Sequence, residues 1–172
     1  IVYSDATNVF VKKDNIRESL VDGAMFLPYN DERLLNKYWT TDRCFEKMSA
    51  GSARNMMQYW AGFQAYEKSE KNIKFTEDMH NYMLDPEIAL PNTSVKNPDG
   101  NDRPCKEHRQ DQSVYSLLIH NHFRHSFYDP ILQSKYGDWQ TFKVHDPDYV
   151  VRENQIVMSA RESKFGNMRF LS

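Results

Sequence analysis

The sequence predicts an α/β or mixed α+β domain, on three observations. Short apolar runs such as Ala24-Met25-Phe26-Leu27 have strand length and end in turn residues. Two longer segments, 69–84 and 110–121, carry apolar residues at helical spacing. Strand and helix patterns alternate along the chain instead of falling in separate blocks. At 172 residues the chain has the size of one ordinary domain, and no repeat or linker divides it.

The elements follow in order. Ile1-Val2-Tyr3 stops at Ser4-Asp5 and reads as the end of a buried strand. Val9-Phe10-Val11 is a second strand candidate. Asp14 is placed to cap a helix whose Ile16, Leu20 and Val21 share one face, and Gly23 is expected to end it. The strand Ala24-Met25-Phe26-Leu27 follows, then a turn at Pro28-Tyr29-Asn30-Asp31. Thr41 or Asp42 caps a short helix reaching Met48, which Ser49-Ala50-Gly51-Ser52 breaks. Residues 56–66 are apolar and aromatic with Gly62 inside, and read as a strand. Ser69 caps the clearest helix, ending near Leu84, with Phe75, Met79, Tyr82 and Met83 along one face and Asp85-Pro86 beyond. Residues 91–104 form the longest loop. The next helix, 110–121, turns Val114, Leu117 and Leu118 inward, and Ile156-Val157-Met158 is the last strand candidate.

Composition narrows the function. Lys and Arg total 22 against 24 for Asp and Glu, a net charge of -2, so no basic footprint points to nucleic acid. No apolar run approaches the roughly 20 residues of a membrane span. Two cysteines, Cys44 and Cys105, are too few for a disulfide scaffold. They fit a cytosolic setting slightly better than a disulfide-rich secretory one, and leave a lumenal setting open. Aromatics reach 13%, which suits a bulky core and also suits flat polar ligands such as sugars. Trp39, Trp60 and Trp139 read first as core residues. Asn92-Thr93-Ser94 forms a glycosylation sequon in the long loop, a triplet that also arises by chance.

Two segments could carry chemistry. In Tyr3-Ser4-Asp5-Ala6-Thr7-Asn8, an acid at a strand end precedes oxygen-bearing side chains, a pattern able to hold a hard divalent cation beside a phosphate. Spacing alone favours plain turn chemistry there. In His108-Arg109-Gln110-Asp111-Gln112-Ser113, Asp111 sits near a helix start, where the dipole favours its ionised form. It could orient a hydroxyl or act as a base, and Gln112 offers both donor and acceptor. A plain helix cap explains Asp111 well, but the crowding of His108, Arg109 and Gln112 around it less well. His120-Asn121-His122-Phe123-Arg124-His125 reads as a polar helix end rather than a metal motif.

The segment from His108 to Leu118, H-R-Q-D-Q-S-V-Y-S-L-L, resembles a motif of GT-A-fold glycosyltransferases, in which an H-R-H-D-Q-S-type segment opens a helix. Trp60-Ala61-Gly62-Phe63, the helical segment 68–84, Leu90-Pro91-Asn92 and Tyr38-Trp39-Thr40 are similar to further parts of that group, so the resemblance covers about two thirds of the chain. It implies a GT-A-like mixed sheet flanked by helices, the C-terminal portion of a catalytic domain whose nucleotide-binding strands would precede residue 1. It implies transfer of a sugar from a nucleotide-sugar donor, UDP-linked first among the choices, to a glycan or other hydroxyl acceptor. Asp111 would be catalytic, His108, Gln112, Trp60 and Gly62 would contact substrate, and Asp5 with Thr7 would hold Mn²⁺ or Mg²⁺ in place of a D-x-D motif. Thr7 departs from that pattern, and the last strand lacks the metal-binding His of the group, for which His145 is the nearest substitute. Those departures suggest a second reading, a non-catalytic relative that binds glycan or protein. A hydrolase or nuclease using His108, Asp111 and the 120–125 histidines is a third.

Overall fold

The computed structural model describes residues 1–5, 8–10, 16–29, 32–89, 105, 108–127 and 157–159. Its elements are β1 (Val2–Ser4), β2 (Asn8–Phe10), β3 (Ala24–Pro28), α1 (Asn36–Trp39), α2 (Asp42–Lys47), β4 (Tyr59–Tyr66), α3 (Glu70–Met83), α4 (Pro86–Ala89), α5 (Gln110–Phe127) and β5 (Val157–Ser159). Thr7, Asp14, the loop at 91–104, Trp139 and His145 lie outside the described residues. No helix among the described residues is long and apolar enough to cross a membrane.

β4 is the central strand of a three-stranded sheet, with β1 on one side and β3 on the other. Both pairings are antiparallel, and so is the separate β2–β5 pair. The chain therefore mixes α and β as the sequence predicts, and the ladders among the described residues are antiparallel. All eight residues of β4 are buried, an unbroken run with no alternation.

Two strand irregularities place the site. Val21 and Ala24 bridge each other across Asp22-Gly23, both with positive φ, which is a tight two-residue turn. Gly23, expected to stop a helix, instead supplies one of the two left-handed positions this turn requires, at φ 73°. The expected helix before it is a single 3-10 turn at Ile16–Ser19. The second irregularity is in β4. Phe26 lies opposite Gln64, but Leu27 lies opposite Trp60. Ala61, Gly62 and Phe63 thus leave the β3 ladder as a bulge, and Gln64 Nε2 closes it by donating to the Ala61 carbonyl at 2.8 Å. On the other edge the Asp5 amide donates to the Gly62 carbonyl at 2.8 Å.

The helices start where their caps predict. Thr41 Oγ1 accepts from the Cys44 amide at 3.4 Å, and Ser69 Oγ from the Asn72 amide at 3.2 Å. α3 and α5 pack against one another and α5 packs on β4. Phe26 joins the sheet to both helices. Its ring meets Phe75 at 5.3 Å, Tyr115 at 5.6 Å and Phe123 at 4.8 Å between centroids. Such tilted and edge-to-face pairs each add about 0.5–1.5 kcal/mol beyond burial alone. α5 continues past the expected end at residue 121 but kinks at Phe123, whose φ of −126° is not helical and whose ring is in this core.

Candidate functional site

β1 carries Tyr3 opposite Gln64 of β4, so the two side chains share a sheet face. The Tyr3 hydroxyl donates to Asp5 Oδ1 at 2.8 Å. The bulge then brings Gly62 beneath the Asp5 carboxylate and the Trp60 indole. A Cβ at residue 62 would lie 2.7 Å from Asp5 Oδ2 and 2.6 Å from Trp60 Nε1. Glycine is therefore required for these two groups to occupy that space. Three residues proposed from the sequence, Asp5, Trp60 and Gly62, meet at one point.

A cleft of about 430 Å³ opens beside them, between the β1–β4 edge and α3. Tyr3, Ala61, Gln64 and Tyr66 line it from the sheet, and Asn72, Ile73 and Met79 from α3. Asp111 lines the same cleft from the first turn of α5, with its side chain exposed. The sequence reading missed the α3 wall, although Ile73 and Met79 were visible there as apolar residues. What hid it is that helical spacing marks a face without saying whether a core or a cleft lies against it.

The entry of α5 is fixed by several bonds to distant segments. The Arg109 amide and Ser113 Oγ both donate to the Trp39 carbonyl, at 3.0 and 2.7 Å, and the Arg109 guanidinium lies 3.9 Å above the Trp39 ring. Ser116 Oγ accepts from the Tyr59 amide at 2.9 Å, tying α5 to the start of β4. Gln112 accepts from the Tyr29 hydroxyl at 3.1 Å and donates to Gln58 Oε1 at 2.8 Å. Both functional groups of Gln112 are thus engaged with protein, and it braces α5.

His108 is turned inward and is 7% exposed. Its Nδ1 accepts from the Thr41 amide at 3.4 Å, so its Nε2 carries the hydrogen and donates to the Ile88 carbonyl at 2.6 Å. Burial holds its pKa below the ordinary value, which keeps the ring neutral. The expected substrate contact from His108 is replaced by a clamp joining α2, α4 and the approach to α5. Trp60 is likewise buried, at 5% exposure.

The remaining candidates disperse. His120 Nε2 lies 2.8 Å from Ser52 Oγ, and His122 Nε2 lies 3.1 Å from Asp78 Oδ2. Cys44 and Cys105 are free thiols, and burial followed by the nearby Cys105 pushes the Cys44 pKa up to about 12. Among the described residues no three His, Cys, Asp or Glu side chains converge on a point. Asp5 is the one acid of the expected metal set there. The phenol donates to it, and Thr7, the other residue of that set, lies outside the described residues. The cleft can hold hydroxyl-bearing ligands between a carboxylate, Asp111, and an aromatic and amide wall.

No protein-family model matches the sequence, and no curated protein or solved structure does.

Proposed function

We propose that this chain carries the acceptor side of a GT-A-like glycosyltransferase, which moves a sugar from a nucleotide-sugar donor to a hydroxyl acceptor. One observation supports this most. Asp111, the acid of the H-R-Q-D-Q-S segment, lines one cleft with Ala61 of the Trp60-Ala61-Gly62-Phe63 segment and with Ile73 and Met79 of α3.

In this reading the acceptor enters along α3 and gives a hydrogen bond to Asp111. An inverting reaction would have Asp111 take the hydroxyl proton as the oxygen attacks the anomeric carbon and the nucleotide diphosphate leaves. Asp5, held by Tyr3 and by its own amide, presents a carboxylate at the opposite side of the bulge. Dependence on Mn²⁺ or Mg²⁺ belongs to the same proposal and would require oxygens beyond Asp5.

The test is nucleotide release from UDP-glucose, UDP-galactose and GDP-mannose, with and without Mn²⁺. Asp111→Asn should lower the rate about 100-fold or more while leaving the circular dichroism unchanged. Full activity in Asp111→Asn removes the proposed role of that residue. Absence of release from every donor, both by this chain and by one extended at its N-terminus, overturns the enzymatic reading. It leaves the glycan-binding one, which the single carboxylate beside Tyr3 also favours.

A further inference from the structure

The cleft has more to say about its ligand than that it bears a hydroxyl. Its volume, about 430 Å³, falls within the roughly 300–1,000 Å³ of small-molecule sites, so it suits a compact ligand rather than a protein surface. Two of its walls present apolar surface to solvent. Tyr3 is 51% exposed on β1 and Ile73 is 42% exposed on α3, with Met79 two turns further along the same helix. Large apolar side chains left open on facing walls are what an apolar ligand body would cover.

Two polar groups of the cleft are acceptors. Asn72 is 3% exposed, and its Nδ2 donates to the carbonyls of Gly23 and Glu67, each at 2.9 Å. Rotating the amide would set its oxygen against both carbonyls, so its orientation is fixed. Its Oδ1 has no hydrogen-bond partner among the described residues. A buried acceptor in that state requires a donor. Asp111 is a second acceptor in the same cleft.

We infer that the cleft binds a hydroxyl compound bearing an aromatic or alkyl body, such as an aryl glycoside, in preference to a wholly hydrophilic sugar. A hydroxyl donates to Asp111, and its apolar body lies between Tyr3, Ile73 and Met79. The inference rests on reading this cleft as the acceptor site.

Calorimetric titration of the whole chain with phenyl β-glucoside, phenyl β-galactoside and the matching free sugars tests it. The phenyl glycosides should bind about tenfold more tightly than the free sugars. Ile73→Asn should reduce that preference severalfold with an unchanged melting temperature, since the side chain is half-exposed and outside the core. Asp111→Asn should weaken both classes, and Ile73→Asn decides independently of it. Equal affinity for phenyl glycosides and free sugars overturns the inference, as does binding of neither, or an unaltered preference in Ile73→Asn. Phenyl glycoside binding with no sugar transfer supports the ligand class and overturns the enzymatic reading. Transfer to free sugars as fast as to phenyl glycosides does the reverse.

Discussion

At Gly62 the space of a side chain is filled by the Asp5 carboxylate and the Trp60 indole. Gly62→Ala therefore places a methyl group inside both contacts. The carboxylate sits at the end of a short side chain and can shift, but the indole is buried and cannot swing clear. Overpacking of this kind costs about 1–3 kcal/mol. Urea unfolding should show that loss, and an unchanged midpoint would mean the bulge tolerates a Cβ. The same scale shows what sequence can and cannot reveal about a site. Asp111, Asp5, Trp60 and Gly62 drew attention through a family resemblance, and the structure brings Asp5, Trp60 and Gly62 together. His108 and Gln112 stand within four residues of Asp111, yet one is buried and the other spans Tyr29 and Gln58. Which residues of a polar cluster face a cleft depends on the angle at which the helix enters, and that angle is set by Trp39, seventy residues away in the chain at roughly that order.

Helix starts were the most legible elements, because a cap is a local device. Ser69 satisfies the Asn72 amide in the first turn of α3, the helix that forms one wall of the cleft. Ser69→Ala should cost about 1 kcal/mol. Faster amide hydrogen exchange confined to the first turn of α3 would accompany it, and uniform protection would show that tertiary contacts hold the turn without its cap. Strand pairing was less legible. Gly23 and Gly62 each signal a break in regular structure, but a glycine alone does not distinguish a helix stop, a tight turn and a bulge. The partner strand decides, and the partner lies far along the chain. The β4 bulge is the element the site needs most, since it turns Gly62 toward Asp5 and away from β3.

Across the whole molecule, stability should depend on pH through the His108 clamp. The folded state holds this ring below its ordinary pKa of 6.5, while the unfolded chain titrates near that value. Between the two values the unfolded state binds more protons. Stability is thus fully present above about pH 6.5 and is lost as pH falls toward the folded value. Urea midpoints should fall on acidification through that window, and His108→Gln should flatten that part of the profile. An identical slope in the variant would assign the dependence to other groups. The mixture of α and β was legible from alternating patterns, but the antiparallel sheet was not, because burial on both faces erases the alternation that marks an antiparallel strand. The bond from the Ile1 amino group to the Tyr66 carbonyl, that from Tyr29 to Gln112 and that from Ser113 to Trp39 span 65, 83 and 74 residues respectively. Each must close a long loop before it gains anything, and such contacts slow folding. α3 can begin to coil from its own sequence, but the cleft has no existence until β1 and α5 have come to β4. A chain emerging during synthesis would therefore carry its helices well before it carried a binding site.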